Sequence, residues 1–520
     1  MTSQLQAVSD WSGEPWAAVA DTHSAVVFFA GDRAWKLKKP VDLGFLDFST
    51  PEARSAACER ETDLNRRFAP GEYLGVAEVL DPGGQVCDHL VVMRRMPAAR
   101  RLSTMVQRNE PVGPALRHVA RTLAAQHAGA PRGPQIAEQG SREALRGRWA
   151  DNIGQARHFF ESADRLPGHA LVAEIDEIER LACRFLASRG PLLESRIREG
   201  RIVDGHGDLL ADDIFCLDDG PRIMDCLDFD DRLRWVDGLD DAAFLAMDLQ
   251  HLGAPELASE FMAAYAEFAA DPAPVSLQHH YIAYRAFVRA KVSCLQGDPQ
   301  ARADAGRLAE LALRQLRAGS VTLVLVGGLP GTGKSSLAGA LADRLGFTVL
   351  SSDRIRKELA GLPPESSASA PFGAGIYSAE WTERIYAELL HRAAVLMTRG
   401  ESVVADASFT SAWEREAAEI ASATVCADLV KIRCTAPLDL AAARLRTRAP
   451  GISDADAGIA AQLAAAEDAW PAAAEIDTQG GGCADAGRVP AECIRQALEM
   501  IRPHGREDAE TLARPYMLPG

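Results

Sequence analysis

The chain has 520 residues, is 47% hydrophobic and 25% charged, and carries a formal net charge of −17. That length suits about three globular domains with cores of their own, and no run approaches the roughly 20 apolar residues that span a bilayer. The acidic balance speaks against a nucleic-acid partner, and ten cysteines scattered singly, with no CxxC pair, speak against a zinc ribbon and for thiols kept reduced in the cytoplasm.

From Ser24 to Arg94, short β-rich runs (Ala25–Phe29, Ala34–Leu37, Leu90–Met93) are broken by turn signals such as Gly31-Asp32. This predicts a small antiparallel lobe over about 17–96, with one helix near Pro51–Phe68. Lys36 falls in a strand-like run and Glu61 in the helix after it, so the two can pair. Lys38 and Lys39 compete for the lysine role and Glu59 for the acid. Asp21-Thr22-His23-Ser24 precedes the first strand pair and is placed to cover phosphates. Residues 97–318 read as a mostly helical large lobe, with patterns such as Glu174–Ser188 and Leu257–Ala269.

One polar segment, Asp204–Asp241, interrupts those helices. His206-Gly-Asp208-Leu-Leu-Ala-Asp212-Asp213 has the pattern HxDxxxx[N/D], and Asp228 follows after the strand-like Pro221–Met224. Such spacing suits a catalytic loop and a later metal-binding Asp at opposite ends of a short hairpin: Asp208 faces an acceptor hydroxyl, while Asp213 and Asp228 hold Mg²⁺ on nucleotide phosphates. The competing reading is an Asp-rich surface loop around a core histidine.

These residues resemble the aminoglycoside-phosphotransferase/choline-kinase family over about Ala17–Leu252. The resemblance implies an α+β bilobal protein-kinase-like fold for residues 1–318, with Asp208 catalytic, Asp213 and Asp228 metal-binding, Lys36 on the phosphates, Glu61 its partner and Asp241 bracing the catalytic loop. Two positions depart from the family. Asp213 stands where it usually has Asn, and Leu210 where it often has His. Aspartate still ligates Mg²⁺ through oxygen but adds charge beside it, which opens the alternative of a nucleotide- or ligand-sensing pseudokinase.

Further on, Val321–Val326 reads as a buried parallel strand. It runs into Gly328-Leu329-Pro330-Gly331-Thr332-Gly333-Lys334-Ser335-Ser336, which fits GxxxxGK[ST] and opens a helical pattern to Leu345. Glycines let backbone amides wrap phosphates, Lys334 reaches the β/γ-phosphates and Ser335 ligates Mg²⁺. A second strand ends near Asp353, one helical turn before Arg356. That pair reads as an acceptor base with a substrate-orienting arginine, or Asp353 as a helix cap. A third strand ends in Asp406-Ala-Ser408, where Asp406 holds Mg²⁺, touches the acceptor or caps a helix. Arg444 and Arg448, at i and i+4, form either a lid pair for the moving phosphoryl group or a solvated helix face.

Residues 319–503 thus read as an α/β P-loop domain with a parallel sheet, followed by a tail over 504–520. This part resembles small P-loop kinases of the gluconate-kinase and polynucleotide-5′-kinase type, which implies ATP, Mg²⁺ and Asp353 as base. The whole chain resembles bacterial two-domain proteins that fuse the two kinds of domain. The expectation is a cytoplasmic ATP-dependent phosphotransferase with two nucleotide sites and a small-molecule hydroxyl acceptor. A polynucleotide 5′-hydroxyl kinase is the alternative, prompted by Arg94-Arg95 and Arg100-Arg101. No membrane partner is expected, and no motif names the acceptor or the oligomeric state.

Overall fold

The structure, a computed structural model, describes residues 15–22, 24–42, 47–162, 168–296, 299–363, 366, 373–447, 453, 456–479 and 489–501. They form two compact units. One comprises residues up to 176 together with 193–273 and 281–313; the other comprises 177–192, 274–280 and everything from 314 onward. No described helix is long and apolar enough to cross a membrane.

The first unit opens with five antiparallel strands: β1 (Ala17–Asp21), β2 (Ala25–Ala30), β3 (Arg33–Lys38), β4 (Tyr73–Leu80) and β5 (Val86–Arg94), in the order β1-β2-β3-β5-β4. The helix Pro51–Asn65 lies between β3 and β4 in sequence. It starts where Thr50 accepts the Ala53 amide at 3.2 Å and Pro51 fixes the first turn. Its buried residues, Arg54, Cys58, Glu61, Thr62 and Asn65, recur at helical spacing on one face. That face is largely polar, because it meets the functional groups described below as well as a core of Ala34, Cys58, Tyr73, Val91 and Met93.

Helices dominate the rest of this unit, including Gly113–Gly129, Gly238–His251 and Pro255–Ala269. Two small antiparallel pairs interrupt them: β6 (Ile202–Asp204) with β9 (Trp235–Asp237), and β7 (Ile214–Leu217) with β8 (Gly220–Ile223). The loop between β6 and β7 carries His206, Asp208 and Asp213, and the turn after β8 carries Asp225. This is a bilobal kinase-like arrangement: a small antiparallel sheet with one helix, and a helical lobe holding an Asp-rich hairpin.

The second unit is built on a parallel sheet of β10 (Thr322–Gly327), β11 (Thr348–Ser351), β12 (Val403–Asp406), β13 (Asp428–Thr435) and β14 (Ala474–Asp477), ordered β11-β12-β10-β13-β14. Every residue of β10 is buried, as expected of a central parallel strand covered on both faces. Val324, Val326, Leu337, Leu341, Val404, Ile432 and Ile476 make the core on one side. Successive crossovers step to one side of β10 and later to the other. That reversal leaves a crevice at the strands' C-terminal ends, where open α/β sheets bind ligands.

Candidate functional site

Two sites emerge, one in each unit. In the first unit, β3 projects Lys36 and Lys38 from the same face, two residues apart. Lys36 Nζ lies 2.9 Å from Glu61 Oε1 and 2.9 Å from Asp225 Oδ1. Lys38 Nζ lies 2.8 Å from the other Glu61 oxygen and 2.8 Å from Asp228 Oδ2. Glu61 is almost wholly buried (1% exposed) and needs both cations to stay ionised there. Burial alone raises its carboxyl, and the two lysines more than offset this, leaving it below its usual value.

The catalytic-type loop is held from behind by Asp241. Its carboxylate accepts the His206 amide at 2.7 Å and the Gly207 amide at 2.8 Å, and meets His127 Nε2 at 2.9 Å. His127 Nδ1 in turn meets the Tyr265 hydroxyl at 2.8 Å. Gly205 is required for this approach, since a Cβ there would sit 2.5 Å from Asp241 Oδ2. His206 is fully buried, with Nε2 3.0 Å from the Met224 carbonyl, so its role is to fix the loop.

Asp208, Asp213 and Asp225 stand within one another's fields. Burial pushes the Asp208 carboxyl up to about 6, against the pull of Arg289 and Arg285. Asp213 is held well above the carboxylate range by burial and then by Asp225, Asp208 and Asp212. Lys36, chiefly, keeps Asp225 low. Oxygen donors with surplus negative charge suit a hard divalent cation. Among the described residues no group of three or more His, Cys, Asp or Glu makes a self-contained metal cage.

In the second unit, Gly328–Ser336 bridges the end of β10 and the helix Lys334–Leu345. Gly328 and Gly331 have φ of 130° and 84°. A Cβ at Gly328 would lie 2.4 Å from the Cys434 carbonyl oxygen, and one at Gly331 would lie 2.5 Å from that of Ala441. Only glycine fits at these two positions; the Gly328 amide donates to the Ser408 carbonyl at 3.0 Å and the Thr332 amide to the Leu329 carbonyl at 3.3 Å, which leaves the amides of Gly331, Gly333, Lys334 and Ser335 to face an anion. Asp406 ends β12, in register with Val326 of β10. Burial raises its carboxyl while Lys334 and Ser335 pull it back, and its Oδ1 is buried with no hydrogen-bond partner. An orphaned acidic oxygen beside the P-loop serine fits a site for Mg²⁺.

Residues 323–469 match the family of AAA domains. The Mycobacterium tuberculosis protein named "Uncharacterized protein Rv2004c" is 44% identical over 470 residues, spanning 90% of this chain and 93% of the relative. This chain belongs to the same family. It joins the unit with the antiparallel sheet to the P-loop domain, and its mycobacterial member matches it across both. Among solved structures, a choline/ethanolamine kinase family protein from Mesorhizobium loti is 17% identical, covers 60% of this chain and 95% of its own, and has a TM-score of 0.36. A gluconokinase from Sinorhizobium meliloti is 18% identical, covers 38% and 98%, and has a TM-score of 0.24.

Within this family member, several expected site residues take up positions that spacing did not reveal. Asp225, which follows β8 with a φ of 61°, meets Lys36 and is near enough to raise the Asp208 and Asp213 carboxyls, while Asp228 turns to Lys38. Lys39 pairs instead with Asp21, and Glu59 is exposed. Ser351 occupies the cap position before Asp353, and Ser411 with Glu414 caps the helix after Asp406, so neither aspartate is a cap. Arg356 donates to the Ile376 carbonyl at 2.7 Å and lies over the Tyr377 ring. Arg444 donates to Thr478 Oγ1 at 3.0 Å and to the Thr478 carbonyl at 2.9 Å, with the Gly331 carbonyl at 3.4 Å. It therefore braces the P-loop. Arg448 and the tail lie outside the described residues. Thr478, which also donates to the Thr332 carbonyl at 2.8 Å, carried no signal in the sequence.

Proposed function

We propose that this chain is an ATP-dependent phosphotransferase with two nucleotide sites, each delivering a γ-phosphoryl group to a hydroxyl of a small-molecule acceptor. The observation that carries the reading is the P-loop at the end of the central strand, with the unpartnered Asp406 oxygen beside it. In that site the amides of Gly331, Gly333, Lys334 and Ser335 grip the triphosphate and Lys334 neutralises its outer end. Asp353, which lies close enough to Asp406 to raise its carboxyl further, takes the acceptor proton, and Arg356 shapes that side of the pocket. Arg444 acts by holding the loop.

In the first unit, Lys36 holds the α/β-phosphates, Glu61 orients Lys36, and Asp208 accepts the acceptor proton. Mg²⁺ would be held by Ser335 and Asp406 in one site and by Asp213 and Asp225 in the other. When bound it supplies charge neutralisation on the phosphates. Asp225 replaces Asp228 in this assignment because its charge acts on Asp208 and Asp213, whereas Asp228 pairs with Lys38. A cytoplasmic setting agrees with the absence of disulfides among the described cysteines.

A second reading, a nucleotide-sensing first unit that controls the P-loop half, draws on the carboxylate crowding at Asp213. Labelled ATP, offered with sugars, amino alcohols, nucleosides and RNA 5′ ends, separates these outcomes. Lys334→Ala and Asp208→Asn are expected to silence different products, each by about 10²-fold or more. If only Lys334→Ala matters, the sensing reading stands. Loss of neither activity contradicts both.

A further inference from the structure

Several deeply buried arginines of this chain are answered by carboxylates. Arg196 lies 2.6 Å from Asp237 and also pairs with Asp271. Arg285 reaches Asp240 at 2.7 Å, and Arg234 reaches Asp204 at 2.8 Å. Arg189 differs. It is 1% exposed. One nitrogen donates to the Val425 carbonyl at 2.8 Å, its Nε is buried with no partner, and no described carboxylate pairs with it. A buried charge without a counter-charge carries a desolvation cost of several kcal/mol.

The guanidinium lies over the Phe185 ring, 5.5 Å from its centre, and that ring stacks on His280 at 4.4 Å. Beside it is a cavity of about 20 Å³ whose polar lining includes Arg184, Ser276, His280 and Ser320, with Asp428 at one side. Asp428 is already engaged by Arg184 at 2.6 Å, so it leaves Arg189 unanswered. Every lining residue belongs to the second unit.

We propose that this cavity is a binding site for a small inorganic anion, held by Arg189 as its buried counter-charge. The size admits about one water-sized species, which favours a halide over phosphate and excludes a nucleotide. The surroundings offer a hydroxyl donor from Ser320 and a second cation, Arg184; the Ser276 hydroxyl is already donated to the Gly400 carbonyl at 2.7 Å. Burial, and next Arg184, push the Arg189 guanidinium down to about 10. The cavity also touches the start of the P-loop strand: Val321 lines it, and the Asp428 amide donates to the Val321 carbonyl at 2.8 Å. An anion there would tie the entries of β10 and β13 together.

The test uses full-length protein, with potassium gluconate exchanged for potassium chloride at constant ionic strength and a non-hydrolysable ATP analogue filling the nucleotide sites. Chloride should raise the melting temperature saturably and broaden the ³⁵Cl NMR line. Arg189→Met should abolish both responses, with at least a tenfold loss of affinity. Should that variant fail to fold, Arg184→Gln removes the second cation, frees the Asp428 carboxylate and is expected to weaken chloride several-fold. Phosphate, tested in the Lys334→Ala background, should bind more weakly than chloride; the reverse order would change the ion but keep the site. A wild-type protein indifferent to both anions, or variants that respond as it does, would overturn the proposal.

Discussion

Asp241 is one buried carboxylate serving two backbone amides and a histidine. Removing it leaves three polar groups without a partner at a point that water cannot reach. Asp241→Ala is therefore expected to cost about 3–5 kcal/mol, read as a lower urea midpoint, whereas Asp241→Asn should cost less because it keeps one acceptor. His280 makes the opposite kind of prediction. It is 2% exposed, and burial pushes its imidazole down from 6.5 to about 3. The native state therefore holds it neutral, while the unfolded chain takes up a proton below about 6.5. Its contribution is complete above that pH and is lost as pH falls from 6.5 toward 3. Between pH 6.5 and 4.5 the loss is about 2 kcal/mol, and His280→Gln should flatten the pH slope of urea unfolding in chloride-free buffer by that amount. An unchanged slope would show that the ring is already charged or solvated in the native state.

At the level of elements, what the sequence revealed depended on whether a pattern had one physical solution. Val321–Val326 could hardly be anything but a covered strand, and a GxxxxGK[ST] loop after it needs glycine for the close approaches now seen at Gly328 and Gly331. Gly331→Ala puts a Cβ against the Ala441 carbonyl and forces a positive φ on alanine. It should abolish ATP binding while costing only about 1–3 kcal/mol of stability, so a folded variant with normal affinity would contradict the loop's assigned role. The Lys36–Glu61 pair was likewise legible, because a strand followed by a helix can bring two such residues together.

The Asp-rich hairpin was not fully legible. Spacing alone cannot say whether Asp225 or Asp228 meets Lys36, since a left-handed residue after β8 redirects the chain. The pairing of 177–192 and 274–280 with the P-loop sheet was also hidden, because an apolar helical stripe does not name the surface it will cover. Arg444 was only partly legible for a related reason. Its position on a helix was readable, but its attachment to Thr478, more than thirty residues away, was not.

For the whole molecule, the proposed function needs two phosphate-binding devices that share no structural element: a lysine–glutamate pair beside an antiparallel sheet, and a glycine-rich loop at the end of a parallel one. Calorimetric titration of the full chain with Mg²⁺ and a non-hydrolysable ATP analogue tests that claim most directly. The account predicts two nucleotides per chain, with Lys334→Ala removing one, Lys36→Met removing the other and the double variant binding none. A single nucleotide per chain, lost with Lys334→Ala and indifferent to Lys36→Met, would contradict it.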